Sequence, residues 1–149
     1  MPYFAPARPF NIIGKGQSIN FLIPKLVSRF VNREQNISLG NIESIRDYIS
    51  VEDCVSVYMY LILNECSFES PLNICSGIGH SAKDAISILE NVAGYHINYS
   101  IDNSFVRKNE VWKLVGDSTR LNALDKKTKF INDDFNKILK DMYDSYKDK

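Results

Sequence analysis

The sequence lacks the features that mark membrane proteins and nucleic-acid-binding proteins. It has no apolar run approaching the roughly 20 residues that a membrane-spanning helix needs. Lys plus Arg and Asp plus Glu number 18 each, so no overall positive charge attracts nucleic acid. An anionic ligand must therefore be held by a few local cations. These absences predict a cytoplasmic protein that has neither a membrane nor a nucleic acid as its partner.

Cysteine and histidine are scarce and are not spaced as metal ligands. Cys54, Cys66 and Cys75 are odd in number, lie in apolar surroundings and include no Cys-x-x-Cys pair. His80 and His96 are not at a ligand spacing. We therefore expect reduced, buried thiols, no disulfide framework and no metal site.

What is present is the composition of one folded domain. A chain of 149 residues can bury a sizeable core, and apolar and charged fractions of 44% and 24% are ordinary for a globular protein. Helical and extended patterns alternate, which predicts the α/β class. We expect strands near 3–8, 37–39, 47–49, 72–75 and 96–101. Helices are expected near 21–31, 50–64, 81–94 and 133–146, and a short helix is expected to start at Asp117-Ser118. Loops are expected from residue 9 through 16 and over 102–116.

The segment after Ser50 carries a strong helix signal. Ser50 and Asp53 stand three residues apart, a capping spacing that satisfies free N–H groups at a helix start. Apolar residues then recur at helical period, which predicts that one broad face is buried. That face comprises Val51, Val55, Tyr58, Met59 and Ile62. Ser81 and Asp84 repeat the capping spacing ahead of the next helix, which Gly94 closes.

Seven short motifs occur in a fixed order along the chain. They are Arg8-Pro-Phe-Asn11, Gly14-x-Gly16-Gln17, Asn20-Phe21, Ser38-Leu39-Gly40-Asn41, Arg46-Asp47-Tyr48-Ile49-x-Val51-x-Asp53, Asn73-Ile74-Cys75-Ser76-Gly77 and Val111-x-x-Leu114-x-Gly116-Asp117-Ser118. In this order they resemble the second half of the extended short-chain dehydrogenases, the NAD-dependent nucleotide-sugar epimerases, dehydratases and reductases. The likeness is greatest to the GDP-sugar branch, with its GDP-4-keto-6-deoxymannose reductases and GDP-mannose 4,6-dehydratases.

The resemblance implies a particular architecture. Residues 1–149 would form one truncated unit, with late parallel strands of a Rossmann-type sheet near 3–8 and 72–75. The remainder would form a small α/β substrate-binding subdomain. Two sheet strands without their neighbours expose an edge and an apolar face. We therefore expect marginal stability, or cover for that face from self-association or from a missing N-terminal Rossmann half.

The resemblance also implies a substrate-binding role for eight residues: Asn11, Asn20, Phe21, Ser38, Leu39, Arg46, Arg107 and Glu110. Asn20 and Phe21 match a helix start that receives the diphosphate and ribose, where free N–H groups favour phosphate. Arg46 matches a guanidinium whose planar fork can meet two phosphate oxygens. Glu110 stands where the family usually has an Asp on the ribose.

The remaining matches concern the base and the phosphates. Ser38 and Leu39 match the strand that lines the base, Asn11 matches an amide near the diphosphate, and Arg107 matches a second phosphate cation. Taken alone, these residues permit simpler readings. Arg8 and Asn11 could tie a loop to a strand end, and Arg46 with Asp47 could be an ordinary surface pair.

The family's catalytic parts are not found in this chain in the family's order. A Gly-rich cofactor turn and a Tyr-x-x-x-Lys pair belong to the first half of such enzymes. Tyr143 and Lys147 have that spacing but lie in the last turns of a charged helix, where a solvated helix end is expected. The hypothesis is a nucleotide-sugar-binding half, for a GDP-hexose, of an NAD(P)-dependent enzyme. It would have no catalytic residue, bind no NAD or NADP by itself and be inactive alone.

Two alternatives remain open at this point. The chain could be an autonomous, non-catalytic nucleotide-sugar-binding fragment. It could also be a small dinucleotide-binding module, because Gly77-Ile-Gly79-His-Ser-Ala82 follows a strand and opens a helix, with Asp102 about twenty residues further on.

Overall fold

The structure is a computed structural model that describes residues 6–66, 70–106, 109 and 111–147. Within them lie eight strands: β1 (Ala7–Pro9), β2 (Asn11–Ile13), β3 (Asn36–Leu39), β4 (Ile45–Ser50), β5 (Leu72–Ile74), β6 (Gly79–His80), β7 (Asn98–Ile101) and β8 (Lys113–Leu114). Five helices accompany them: α1 (Leu22–Val31), α2 (Val51–Leu63), α3 (Ala82–Ala93), α4 (Thr119–Ala123) and α5 (Phe135–Lys147). A short 3-10 turn spans Asn103–Phe105.

A partial Rossmann-type sheet lies at one end of the molecule. Strands β1 and β5 pair in parallel, with Ala7 opposite Leu72 and Pro9 opposite Ile74. Helix α2 covers this pair through a core that also takes in α4 and the segment after it. This core comprises Ile49, Cys54, Val57, Leu61, Leu72, Ile74, Leu121 and Phe130. The α/β class with parallel late strands is confirmed, although residues 3–5 of the predicted first strand lie outside the described part.

A second and larger core forms between α1, α3 and α5. Leu26, Val27 and Phe30 of α1 are completely buried there, as are Leu89 of α3 and Leu139 of α5. The parallel pair β3–β7 extends this layer, with Ile37 and Leu39 turned into the core. Together these elements form a compact α/β unit beside the β1–β5 pair.

Strand β4 joins the two parts and is the centre of a mixed sheet. It pairs in parallel with β2 and β8 and antiparallel with β6. The sequence predicted loops where β2 and β8 lie and no strand at β6, and these assignments were wrong. Strands of two or three residues carry no periodic pattern of their own, and each forms here only because β4 supplies its hydrogen-bonding partner.

The Asp47 carboxylate holds two loops, one after β5 and one after β8, against β4. It is fully buried, and it accepts hydrogen bonds from the backbone N–H groups of Ser76 (2.9 Å), Gly77 (2.9 Å) and Gly116 (3.1 Å). The Ser76 hydroxyl donates a fourth bond at 2.7 Å. The reading of Arg46 and Asp47 as an ordinary surface pair is therefore wrong, because the Asp47 side chain is turned inward where backbone donors replace its water.

The predicted helix caps are confirmed. The Ser50 hydroxyl accepts from the Asp53 N–H at 3.0 Å, and Ser81 with Asp84 forms a complete capping box. Gly94 ends α3 in the left-handed conformation at φ 73°. Asp53 has a further role: its carboxylate accepts the N–H groups of Asn132 and Asp133, at 2.8 and 2.9 Å, and so anchors the segment that leads into α5.

The predicted buried face of α2 is wrong. Val51, Val55, Tyr58, Met59 and Ile62 are exposed, from 37% for Val51 to 68% for Ile62. The helix instead buries a second apolar stripe formed by Cys54, Val57 and Leu61. Both stripes have helical period, so periodicity alone could not decide between them.

The reading of Tyr143 and Lys147 as a solvated helix end also needs correction. Tyr143 is 5% exposed and belongs to the larger core, and the Lys147 ammonium lies 5.5 Å from the centre of its ring. The three cysteines are free, with Cys54 and Cys75 buried and Cys66 half-buried. In the described residues, no helix has the length and apolar character that crossing a membrane requires.

Candidate functional site

A cleft of about 650 Å³ opens between the start of α1, the end of β3 and the start of β4. Six of the eight predicted substrate-binding residues line it: Asn11, Asn20, Phe21, Ser38, Leu39 and Arg46. They come from four separate segments of the chain. The other two predicted residues, Arg107 and Glu110, lie outside the described residues. The fold thus brings together in one cleft six residues that the sequence had related only through the order of their motifs.

Strand pairing positions the side chains of Asn11 and Arg46 at the cleft. Asn11 stands opposite Tyr48 in the β2–β4 pair, and its side-chain amide donates to the backbone carbonyl of Asp47 at 3.0 Å. Arg46 lies two residues earlier on β4 and is half-buried, and its Nη1 donates to the carbonyl of Ile45 at 2.8 Å. Asn11 therefore joins two paired strands, where the simpler reading had a loop tied to a strand end, and it also lines the cleft.

The N-terminus of α1 forms one wall. Phe21 is its N-cap residue and offers no side-chain hydrogen bond to the first turn. Pro24, in that turn, has no N–H, so the backbone donors there belong to Leu22 and Ile23, which also line the cleft. Helix starts of this kind attract anions through their N–H groups and the helix dipole.

Two cationic side chains line the cleft. Lys25 and Arg46 line it, and among the described lining residues there is no Asp or Glu. The remaining polar side chains are mainly amides, from Asn11, Gln17, Asn20 and Asn41. A site with two cations, several amides and no carboxylate suits a polyanion that carries hydroxyl groups.

Sequence reasoning missed Lys25. The family motifs include Asn20 and Phe21 at the helix start but not Lys25. The structure leaves Phe21 59% exposed and Leu22 37% exposed, at the cleft. The sequence did offer one indication of its role. Lys25 follows Phe21, the N-cap of α1, by four residues, and residues at this spacing share one face of a helix.

Aromatic rings line the outer part of the cleft. Phe21 and Phe105 are 59% and 57% exposed, and the Lys25 ammonium lies 5.2 Å from the centre of the Phe105 ring. Deeper in, Tyr48 stacks on Phe135 at 5.2 Å between ring centres. Burial raises the pKa of the Tyr48 phenol, partly opposed by the nearby Arg46 charge. Tyr48 therefore stays protonated at neutral pH.

The loop over residues 14–17 is held firmly beside the cleft. The Gln17 amide donates to the Ile12 carbonyl at 3.1 Å, and the Tyr146 hydroxyl donates to the Gln17 carbonyl at 2.9 Å. The side-chain oxygen of Gln17 is buried, and no described residue donates a hydrogen bond to it. Gln17 belonged to a recognised motif but was not predicted as a site residue.

The segment Gly77-Ile-Gly79-His-Ser-Ala82 does not fit a dinucleotide. A Cβ at Gly79 would clash with the side chains of Ile45 and Val115, so this glycine serves close packing and leaves no room for a pyrophosphate. The start of α3 is already closed by Asp84, whose carboxylate accepts the Ser81 N–H at 2.8 Å. Asp102 is bonded to the Ser104 N–H at 2.9 Å.

No cluster of three or more His, Cys, Asp or Glu suited to a metal ion occurs within the part of the chain that the structure describes.

Comparison with known proteins gives a consistent family. Residues 3–75 match the model of the NAD dependent epimerase/dehydratase family. The chain is 37% identical over 137 residues to GDP-6-deoxy-D-talose 4-dehydrogenase of Aggregatibacter actinomycetemcomitans, which covers 91% of this chain and 46% of that protein. It is 29% identical over 120 residues to GDP-6-deoxy-D-mannose reductase of Pseudomonas aeruginosa, covering 77% of this chain and 39% of the reductase.

The fold of the chain also matches that of a solved structure. RMD from Pseudomonas aeruginosa, in complex with NADPH, superposes with a TM-score of 0.84 at 23% identity, over 95% of this chain and 48% of that one. The chain thus spans a little under half the length of the relatives that it matches. Over residues 3–75, the chain therefore carries a domain of the NAD dependent epimerase/dehydratase family.

Proposed function

We propose that this chain binds a nucleoside-diphosphate sugar, of the GDP-hexose type, and orients it for a nicotinamide-dependent reaction. The observation that carries the proposal is the single cleft in which six motif residues meet two cations and a helix start. Both curated relatives reported above act on GDP-linked deoxyhexoses, as their names state. Guanine as the base rests on those names and on the sequence resemblance.

The arrangement suggests how the ligand would lie. Arg46 and Lys25, with the first-turn N–H groups of α1, would take the diphosphate, because they supply positive charge and donors from two sides. Ser38 and Leu39 at the end of β3 would lie along the base. The side-chain amides would serve the ribose and hexose hydroxyl groups.

The reacting groups would come from elsewhere. In the full-length family NAD or NADP exchanges hydride with the sugar, and the resemblance assigns the Gly-rich cofactor turn and the Tyr-x-x-x-Lys pair to a preceding Rossmann half. The residues present here do not fit a dinucleotide at Gly77 and Gly79. We therefore propose that the chain, in the cytoplasm, contributes substrate orientation, a large part of catalysis, and has no turnover alone.

Calorimetric titration with GDP tests the proposal. Arg46→Ala should weaken binding by about 10- to 100-fold, since charge-assisted hydrogen bonds contribute about 1.5–3 kcal/mol and 1.4 kcal/mol corresponds to tenfold. Lys140→Ala is the matched control, because it also removes one positive charge, from an exposed ion pair on α5 outside the cleft. GDP binding that survives Arg46→Ala unchanged, or the absence of any GDP binding, would contradict the proposal.

A further inference from the structure

His80 lies next to the cleft, although no motif assigned it to the site. It ends the two-residue strand β6, where it stands directly opposite Arg46 of β4. Directly opposed residues of an antiparallel pair have their side chains on one face of the sheet, with Cβ atoms about 4.5–5.5 Å apart. Asp47, the next residue of β4, is turned to the other face, where its carboxylate is buried. His80 therefore shares a face of the sheet with the cationic Arg46.

Ring stacking holds the imidazole of His80 in place. Its ring centre lies 4.4 Å from that of Phe135 on α5, with 18° between the two planes. Phe135 in turn stacks on Tyr48, which lines the cleft and follows Arg46 by two residues on β4. Stacked rings at such separations attract each other. The imidazole is thus half-buried at a fixed position beside the cleft.

Helix α3 places the other charged groups near His80. The pKa of Asp84 is lowered first by the hydrogen bond from the Ser81 N–H, and the charges of His80 and Lys83 lower it further. Lys83 is itself paired with Glu43 at 3.5 Å. A charged imidazole is therefore favoured by the Asp84 carboxylate from α3, while Arg46 opposes it from β4. The phenol of Tyr48 is neutral and Phe135 carries no charge.

We infer that His80 is a positioning residue of the cleft, whose imidazole takes up a proton when an anionic ligand binds at Arg46. The inference rests on the proposed function, which places a diphosphate against Arg46. Like charges directly opposite in a sheet repel each other, so without a ligand Arg46 opposes a charge on His80. A diphosphate at Arg46 supplies negative charge that compensates this repulsion.

The coupling between proton and ligand acts in both directions. If the diphosphate favours a protonated His80, then the chain with a protonated His80 binds the diphosphate more tightly. Histidine is the side chain that ordinarily changes its charge between pH 5 and 8. The chain has two histidines, and no Asp or Glu lines the cleft among the described residues. His80 would therefore make the affinity of the cleft rise as pH falls.

Calorimetric titration of the chain with GDP-mannose at about pH 5.5 and about pH 8 tests the inference. GDP-mannose is the probe because a terminal phosphate, such as that of GDP, titrates near pH 6, whereas both phosphates of the sugar nucleotide are esterified. Binding should be about 3- to 10-fold tighter at the lower pH, the effect of one added charge within about 10 Å of the phosphates at a partly solvated site. Titrations near pH 6.5 in two buffers of different ionisation enthalpy should show net proton uptake. An unperturbed imidazole is neutral at pH 8, so the effect is confined to acidic conditions.

Two variants of His80 and one control locate the effect. His80→Phe and His80→Gln both remove the titrating group, and the Phe variant keeps a ring that can stack on Phe135. Each should bind GDP-mannose with the same affinity at both pH values and take up no proton. His96→Gln is the matched control, because it removes the other histidine, whose side chain is 91% exposed and pairs with Glu90 at 3.1 Å. That variant should keep the pH dependence of the wild type.

Two results would overturn the inference: wild-type affinity that does not change with pH, or a pH dependence that persists in both His80 variants. Either result would leave the proposed function standing, because GDP-mannose would still bind. Absence of GDP-mannose binding at both pH values would contradict the proposed function, and the inference with it. Circular dichroism checks the folding of each variant. The wild-type pH profile and proton uptake decide the matter even where a variant does not fold.

Discussion

Replacing Asp47 by Asn tests whether the hydrogen bonds of this buried carboxylate stabilise the fold. In the native structure Oδ1 accepts two bonds from Ser76, and Oδ2 accepts the N–H groups of Gly77 and Gly116. An Asn side chain that keeps the Ser76 bonds turns its own NH₂ group toward the other two donors. Both then lose their acceptor.

The size of the effect can be worked from these contacts. A buried donor left without a partner costs about 1–3 kcal/mol. Gly77 is exposed, so water can replace part of its lost bond, and the lower end of the range applies. We expect Asp47→Asn to lower the free energy of unfolding by about 2 kcal/mol. For a chain of this size, that corresponds to a fall in Tm of roughly 4–8 °C.

Urea unfolding followed by circular dichroism measures the change. Asp144→Asn is the control, because Asp144 is exposed and forms a surface ion pair with Lys140. That substitution should change stability by less than about 0.5 kcal/mol. If Asp47→Asn were as mild as the control, the two loops would not depend on this carboxylate, and the reasoning would be refuted.

Two further predictions concern Gly79 in β6 and Asp84 in the first turn of α3. Gly79→Val should destabilise the chain by about 1–3 kcal/mol through overpacking against Ile45 and Val115, measured by thermal unfolding, and saturable NADH binding that this substitution abolishes would contradict the packing role. The pKa of Asp84 lies below its ordinary value of 3.8, mainly because its carboxylate accepts a hydrogen bond from the Ser81 backbone N–H. The capping box therefore stabilises the fold above that pH and loses its contribution as pH falls through the lowered pKa. Asp84→Asn should flatten the acid limb of a plot of unfolding free energy against pH, and an unchanged limb would exclude this carboxylate as a source of acid sensitivity.

The parts of the fold that the sequence predicted are those with local signals. Helices α2 and α3 begin at Ser50 and Ser81, as their capping spacings indicate, and α3 ends at Gly94. Strands β2, β6 and β8 were missed because each is short and depends on pairing with β4. The sequence also could not predict which face of α2 is buried, because both of its apolar stripes have helical period.

The candidate site was predictable as a set of residues more than as a geometry. The ordered motifs identified Asn11, Asn20, Phe21, Ser38, Leu39 and Arg46, which line one cleft. Their contact with a ligand stays a prediction. Lys25 and Gln17 were not assigned to the site, because their positions depend on how α1 and the loop over residues 14–17 sit against β3 and β4, which local pattern does not encode.

Mapping of GDP on the chain by NMR tests the central claim most directly. The measurement records ¹H–¹⁵N shifts of the isotope-labelled chain during titration with GDP. We predict the largest shifts for the backbone amides around Asn20–Ile23, Ser38–Asn41 and Arg46, and little change from Gly77 to Asp84. Shifts concentrated at Gly77–Asp84, or an unchanged spectrum at saturating GDP, would contradict the assignment of this cleft to a nucleoside-diphosphate sugar.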